Sequence, residues 1–180
     1  FFVTFCAFIS SSAIEYYLSV YLREPPISAP YTMVAAAYSI MELPNIALQP
    51  YLGRLSDKFG RKSIIFIGLI SFFPRCYLTG ISQSYVPVIL VQLLHGLTFG
   101  GFYVASLAYL SETTLTSERG VATGVFLMGM MLGNVAGSFL GGTLSASMGL
   151  ALMFQILAFF SLVPAFLFVL SEWKTFKFFK

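Results

Sequence analysis

Four ionisable side chains lie inside long apolar runs of this 180-residue sequence: Glu15, Glu42, Arg75 and His95. A charged side chain at the centre of a bilayer costs about 2.5–3.5 kcal/mol on insertion scales, so such residues are expected to pair or to line a wet cavity. Glu42, Arg75 and His95 lie in three successive runs and can converge on one cavity. A carboxylate, a guanidinium and an imidazole in contact can bind a polar solute and move a proton.

The composition around these residues is that of a membrane protein. The chain is 58% hydrophobic and 9% charged, with a mean hydropathy of +0.86, whereas soluble domains carry about a quarter charged residues. A soluble enzyme, a nucleic-acid-binding protein and a disordered tail are therefore excluded. The sequence contains no GxSxG, HExxH or P-loop pattern, so no catalytic residue is expected. Cys6 and Cys76 lie in apolar runs, and neither a metal site nor a cofactor is expected.

The apolar runs predict six membrane-spanning helices, because about 20 apolar residues cross the hydrocarbon core. The predicted spans are about 1–22, 31–52, 63–81, 86–110, 121–144 and 150–170. The expected fold is therefore all-α and polytopic, with six helices over residues 1–171 and a basic, aromatic tail over 172–180. The chain opens inside an apolar run without a methionine, and we expect a trimmed or partial chain.

The basic residues predict how the spans are oriented. A six-span topology places eight of the ten Lys and Arg residues on one side: Arg54, Lys58, Arg61, Lys62, Arg119, Lys174, Lys177 and Lys180. Cytoplasmic segments carry the excess of positive charge. We therefore expect a multi-pass protein of the cell membrane, in contact with the lipid bilayer, with both ends of this segment and the tail in the cytoplasm.

The fifth run contains a glycine at every fourth position: Gly129, Gly133, Gly137 and Gly141. This spacing places the four glycines on one helix face. Another helix backbone can approach such a face closely, as in small-xxx-small packing. The stripe predicts helix packing, and static packing is favoured over a dedicated hinge. Prolines inside three of the runs predict kinks at Pro44, Pro74 and Pro164.

Residues 53–62 have the sequence GRLSDKFGRK. This segment closely resembles the G-x-L-a-D-r-x-G-r-k-k loop of the major facilitator superfamily. In that family the loop acts as a latch between two rocking six-helix halves. The resemblance implies one half of a major facilitator fold, with a cytoplasmic latch loop formed by Gly53, Asp57, Gly60, Arg61 and Lys62.

A narrower resemblance involves Glu42-Leu43-Pro44-Asn45, Arg75 and the segment QLLHGL over residues 92–97. These residues resemble the carboxyl-terminal half of the lactose-permease-like proton symporters, a group that includes oligosaccharide and nucleoside transporters. The resemblance implies substrate hydrogen bonding and pairing for Glu42, a charge partner in Arg75, and a substrate and proton relay in His95. Glu15 resembles an acid on the family's seventh span.

The sequence departs from that group at three positions. Thr98 stands where the group has a proton-carrying carboxylate, one helical turn after the histidine. Gln92 and Met130 stand where lysines neutralise the acid of the seventh span. Two alternatives follow: Glu42 or Glu15 carries the proton instead, or the coupling to protons is lost.

Together these features predict half of a secondary active transporter that moves a small polar solute, such as a sugar or nucleoside, by proton-coupled alternating access. Its partners are expected to be the solute, protons, and an amino-terminal half or second copy that completes the pathway, with no nucleic acid. The competing hypothesis is a non-transporting protein or inactive partial transporter whose buried charges only hold helices together. A channel is disfavoured, because no ring of like charges or filter-like loop occurs.

Overall fold

The computed structural model describes residues 1–172, and every regular element in that range is helical. The α-helices are α1 (Phe2–Arg23), α2 (Tyr31–Phe59), α3 (Arg61–Ile81), α4 (Tyr85–Val91), α5 (Phe102–Thr113), α6 (Arg119–Met148), α7 (Leu150–Phe160) and α8 (Leu162–Glu172). The predicted all-α fold is confirmed. Apart from Glu172, the tail predicted over 172–180 lies outside the described residues.

The helix α4 leads into α5 through a 3-10 turn (Gln92–Leu94) and a π-helical segment (Gly96–Gly101). Together these elements form one long segment, Tyr85–Thr113, which we call the fourth span. The helices α7 and α8 likewise form one segment, Leu150–Glu172, with a break at Ser161. The break has a local cause, because Pro164 lacks the N–H that would donate to the carbonyl of Phe160.

Five of the described segments are long and apolar enough to cross a membrane: Phe2–Arg23, Arg61–Ile81, Tyr85–Thr113, Thr116–Met148 and Leu150–Glu172. The helix α2 has the length to do so, at 29 residues, but it is more polar than the others. It carries Glu42, Asn45 and Gln49 in its middle, and two prolines, Pro44 and Pro50, lie inside it. Two of these polar residues, Glu42 and Asn45, line the cavity described below.

Two ion pairs gather several helix ends at one end of the bundle. Arg61, the first residue of α3, pairs with Glu112 near the end of α5 (Nη2 to Oε1, 2.8 Å). The next residue, Lys62, pairs with Glu172 at the end of α8 (Nζ to Oε2, 2.5 Å). The α2–α3 junction, the end of α5 and the end of α8 therefore lie together.

The opposite end of the bundle is joined by hydrogen bonds to backbone carbonyls. The Tyr21 hydroxyl, near the end of α1, donates to the carbonyls of Gly80 (3.2 Å) and Ser82 (2.9 Å) after α3. The side chain of Gln155 in α7 donates to the same Gly80 carbonyl (3.4 Å). Successive long segments therefore run antiparallel, and the described chain crosses the bundle an even number of times.

The glycine stripe of α6 packs along α1. All four glycines of the stripe are buried. A methyl group added at Gly133 would lie 2.8 Å from Cβ of Phe8, and one added at Gly129 would lie 3.2 Å from the carbonyl oxygen of Phe1. Only the absence of side chains lets the two backbones approach this closely. The stripe therefore joins α6 to α1, which is itself buried around its centre.

The prediction that residues 53–62 form a loop is wrong, because almost all of them are helical. Residues 53–59 continue α2 as a helix, and Arg61 already begins α3. Only Gly60 interrupts the helix, with a φ of 90°, a conformation that glycine adopts without steric cost. The chain contains no helix-breaking residue between Gly53 and Gly60, which explains why α2 extends past the predicted boundary.

Candidate functional site

A cavity of about 330 Å³ lies between α1, α2 and the fourth span. Its lining consists of Glu15, Met41, Glu42, Asn45, His95 and Phe99. Three of the four ionisable residues singled out from the sequence therefore face one cavity. The fourth, Arg75, is absent from this lining.

Glu42 and His95 meet across the cavity from two different elements. Oε1 of Glu42 lies 3.8 Å from Nε2 of His95. The Glu42 side chain is 50% exposed, whereas that of His95 is only 5% exposed. Both side chains line the same cavity. A solute in the cavity can therefore reach the Glu42 carboxylate and the Nε2 edge of the imidazole from the same side.

The carboxylate of Glu42 is also held from its own helix. The amide of Asn45 donates to Oε2 of Glu42 (3.1 Å), and the amide of Gln49 donates to Oδ1 of Asn45 (3.0 Å). The three residues follow one another at spacings of three and four, so they share one face of α2. This ladder orients the Glu42 carboxylate towards the cavity.

Arg75 lies directly behind His95 and is fully buried. Its Nη1 lies 2.7 Å from Nδ1 of His95 and donates to Oγ1 of Thr98 (3.3 Å). Its Nε and Nη2 both donate to Oε1 of Gln92, at 3.2 and 3.1 Å. The guanidinium thus reaches the cavity only through the imidazole ring, and the atoms it contacts are all uncharged acceptors.

The acceptor that holds Arg75 is itself fixed in orientation. Nε2 of Gln92 donates to the carbonyl of Val88 (3.1 Å) and to Oγ1 of Thr79 (3.3 Å). Because the amide nitrogen points at these acceptors, the amide oxygen must point at Arg75. Gln92, Thr79 and Thr98 are all buried, with no measurable exposure. The network around the guanidinium is therefore closed and dry.

Glu15 approaches the cavity from α1. Its Oε1 accepts a hydrogen bond from the hydroxyl of Ser11, one turn earlier (3.0 Å). The hydroxyl of Tyr38 on α2 donates to the backbone carbonyl of Glu15 (3.4 Å). The cavity consequently has two carboxylates on its wall, on different helices.

Aromatic rings continue the cavity wall along the fourth span. The ring of Phe99 stacks on His95, with centroids 5.4 Å apart and planes 22° apart. Tyr103 stacks on the other side of Phe99, at 5.3 Å and 8°. This stack holds the imidazole plane in place, and Phe99 is its one aromatic residue besides His95 that lines the cavity.

The fourth span is irregular where it passes the cavity. His95 lies between the 3-10 turn and the π-helical segment, and π-helical segments occur frequently at functional sites. At Gly96 an added methyl group would lie 3.0 Å from both Cβ and the carbonyl oxygen of Pro44. The proline-containing middle of α2 therefore packs directly against the irregular stretch.

The residues of the predicted latch lie at the end of the bundle, outside the cavity lining. Arg61 pairs with Asp57, one turn earlier across the Gly60 break, as well as with Glu112. Its Nη1 also donates to Oγ of Ser56 (2.5 Å). Arg61 therefore ties α2, α3 and α5 together at this end.

Four residues of the site were not assigned a role from the sequence. Asn45 and Gln49 hold Glu42, whereas Gln92 and Thr98 hold Arg75. Gln92 and Thr98 stood out only as departures from the symporter group. Helical spacing could have identified three of them. Gln92 and Thr98 each lie three residues from His95, and Asn45 lies three residues from Glu42.

Across residues 1–172 no group of three or more His, Cys, Asp or Glu side chains is arranged to hold a metal ion. The two cysteines are free, and Cys76 is buried.

The fold and the site define a polytopic membrane protein with an open polar cavity between its helices. A sequence model of the Major Facilitator Superfamily matches residues 1–175, and the chain belongs to this superfamily. The narrower likeness to lactose-permease-like symporters stays a prediction.

Curated relatives include proteins named as transporters. The chain is 24% identical over 172 residues to the uncharacterized MFS-type transporter YybF of Bacillus subtilis strain 168, a match covering 94% of this chain and 43% of the relative. It is 28% identical over 140 residues to multidrug resistance protein 1 of the same strain, covering 78% and 36%. These matches span less than half the length of either relative.

Solved structures share the fold. The peptide transporter POT in complex with sulfate superposes with a TM-score of 0.85 at 18% identity, covering 96% of this chain and 37% of that one. POT in complex with alafosfalin gives a TM-score of 0.81 at 17% identity, covering 97% and 37%.

Proposed function

We propose that the chain is one half of a secondary active transporter that moves a small polar solute, such as a sugar or nucleoside, by alternating access coupled to protons. The observation that carries this proposal is the meeting of Glu42 and His95 in one cavity, 3.8 Å apart. A solute hydroxyl can donate to the carboxylate and accept from the imidazole at the same time. The exposed edge of Phe99 adds an apolar part to the same cavity wall.

The same proposal assigns roles to the predicted residues. Glu42 binds the solute and pairs with His95, while Arg75 supplies the positive charge behind the imidazole. Glu15 supplies a second acid on the cavity wall. The competing hypothesis, in which buried charges only hold helices together, fits Arg75 alone. It gives no reason for half of the Glu42 side chain to be open to a cavity.

Alternating access requires a second six-helix unit, which we propose to be an amino-terminal half or a second copy. Transporters of this kind bind substrate near the midplane between two such units. One polar wall is provided here by α1, α2 and the fourth span. The exposed side of α2, with Leu43 64% and Ile46 70% exposed, fits a surface that the second unit covers.

We further propose that the protein lies in the cell membrane, with both ends of this segment in the cytoplasm. The basic residues at 54–62 and Arg119 lie in segments gathered at one end of the bundle by the Arg61–Glu112 and Lys62–Glu172 pairs. An excess of Lys and Arg is typical of the cytoplasmic side. The proposed cytoplasmic latch then consists of Gly53, Asp57, Gly60, Arg61 and Lys62.

Uptake by proteoliposomes tests the proposal directly. The full-length protein that contains this chain is reconstituted, and accumulation of labelled sugars and nucleosides is measured with and without an inward proton gradient. We expect gradient-dependent accumulation of at least one solute. Arg75→Ala should abolish it, while Arg119→Ala, an exposed base at the start of α6, should not. The proposal would be contradicted if the proton gradient changed the accumulation of none of the solutes, or if Arg75→Ala accumulated solute fully.

A further inference from the structure

The contacts of Arg75 determine which nitrogen of His95 carries a hydrogen. A guanidinium has only N–H donors and no acceptor. Nη1 of Arg75 lies 2.7 Å from Nδ1 of His95, so Nδ1 must be the acceptor of this hydrogen bond. The hydrogen of the neutral ring is therefore on Nε2, the atom that faces Glu42.

The geometry also disfavours a second proton on the ring. In an imidazolium both nitrogens are donors. Protonation would therefore place the N–H of Nδ1 opposite an N–H of the guanidinium, with no acceptor between them. Arg75 cannot move away easily, since Gln92 and Thr98 accept its remaining hydrogen bonds in a fully buried network. Two positive charges would then be in contact where no carboxylate lies within hydrogen-bond distance of Arg75.

We infer that His95 is a permanently neutral hydrogen-bond donor, held as the Nε2–H tautomer by Arg75, and that Glu42 is the group that gains and loses the transported proton. Gln92 and Thr98 are positioning residues, because they fix Arg75 and through it the tautomer. This inference rests on the proposed function for its second part. It replaces the proton relay that the resemblance implied for His95.

The surroundings of Glu42 suit that task. It faces His95 from the fourth span and Glu15 from α1; Asn45 and Tyr38 lie on its own helix, and Arg75 of α3 lies behind the imidazole. When Glu42 is ionised, its charge balances Arg75 through the polarised imidazole. When Glu42 is protonated, that balance is lost, so the proton changes the attraction between α2 and the fourth span. A carboxylate open to the cavity can exchange its proton with water, whereas Nδ1, the acceptor nitrogen of the imidazole, is occupied by Arg75.

The tautomer can be measured without any transport assay. His95 is the single histidine of this chain, and ¹⁵N-histidine labelling of the full-length protein, with His95→Gln to assign its signals, reports each ring nitrogen separately. We expect a bare Nδ1 and a protonated Nε2 at every pH from about 5 to 8, the range in which an ordinary histidine titrates. An imidazolium signal or a protonated Nδ1 in that range would overturn the inference.

Two variants separate the causes. In Arg75→Met, which removes the donor while keeping a long side chain, we expect an imidazolium signal to appear as the pH falls. In Glu42→Gln the Nε2–H tautomer should persist. If Arg75→Met does not fold, Gln92→Leu weakens the same contact and should allow partial protonation of His95. A ring that stays neutral in a folded Arg75→Met protein would contradict the role given to Arg75.

The second part of the inference is tested by solute-driven proton uptake into proteoliposomes. At saturating solute we expect Glu42→Gln to lose proton uptake. His95→Gln should need more solute but keep the number of protons taken up per solute molecule. The assignment of the proton to Glu42 would be overturned if His95→Gln lost proton uptake and Glu42→Gln kept it. It would also be overturned if Glu15→Gln lost proton uptake while Glu42→Gln kept it. Absence of transport by the unmodified protein would instead refute the proposed function, and the tautomer measurement would remain valid.

Discussion

Oε1 of Glu42 and Nε2 of His95 face each other across 3.8 Å from two elements that also pack closely at Gly96 and Gly100. A direct hydrogen bond is shorter than this, at about 2.7–3.2 Å. The pair is therefore close enough to attract and open enough to be bridged by a solute hydroxyl.

Shortening Phe99 should weaken solute binding without affecting the fold. Phe99 stacks between His95 and Tyr103 and lines the cavity, and aromatic pairs contribute about 0.5–1.5 kcal/mol beyond their buried area. For Phe99→Leu we expect a roughly 2- to 10-fold rise in the apparent KM for the transported solute. Phe139→Leu is the matched control, since Phe139 is 72% exposed on α6. Equal KM values for the two variants would contradict the stacking role.

Replacing Gln92 with an apolar residue should destabilise the protein. The guanidinium of Arg75 would lose the acceptor of two hydrogen bonds in a fully buried site. A buried group left unsatisfied costs about 1–3 kcal/mol, and more if charged. We expect Gln92→Leu to lower the thermal midpoint in detergent clearly. Gln92→Glu should lower it less, because it keeps the acceptor for Arg75 but loses the amide donor to Val88 and Thr79. Gln83→Leu, in the connection between α3 and α4, serves as control. A midpoint for Gln92→Leu equal to that of Gln83→Leu would show that the acceptor is dispensable.

The sequence predicted which residues meet better than it predicted how they are connected. Glu42, Arg75 and His95 were expected to converge on one cavity because a charge in hydrocarbon must find a partner or water. Glu42 and His95 do line one cavity, together with Glu15. Arg75 was expected beside a carboxylate. It contacts Gln92, His95 and Thr98 instead, because side-chain direction depends on the rotation of each helix, which apolar composition alone does not define.

Helix boundaries show the same limit. The change from apolar to charged residues at Gly53 predicted the end of α2, but charge does not break a helix, and α2 continues to Phe59. Gly60 was the relevant signal, since its positive φ ends the helix. The irregular stretch around His95 left no trace in hydropathy, because the π-helical segment Gly96–Gly101 is as apolar as a regular helix.

The close approach of α1 and α6 should not tolerate a side chain at Gly133. A methyl group there would lie 2.8 Å from Cβ of Phe8, and overpacking typically costs about 1–3 kcal/mol. For Gly133→Ala we expect a lower thermal midpoint in detergent. Gly124→Ala, on the same helix with no heavy atom within 4 Å, should be neutral or slightly stabilising, because alanine favours helix by about 0.5–1 kcal/mol. Identical shifts for the two variants would contradict close packing at the stripe.

The ion pair between Arg61 and Glu112 should contribute little stability and should depend on salt. Its carboxylate is 54% exposed, and exposed pairs contribute about 0.2–1 kcal/mol. We expect Glu112→Gln to lower stability by less than about 1 kcal/mol, with the difference shrinking as ionic strength rises. The control is Glu118→Gln, an exposed acid immediately before α6. A large, salt-independent loss would show that Arg61 holds the three helices through something other than this pair.

Proton-coupled transport through Glu42 is tested most directly by comparing exchange and accumulation in one variant. In proteoliposomes containing the full-length protein, Glu42→Gln should still exchange labelled for unlabelled solute, because an amide can hydrogen-bond a hydroxyl. It should fail to accumulate solute under an inward proton gradient, whereas Glu118→Gln should do both. Undiminished gradient-driven accumulation by Glu42→Gln would contradict the account.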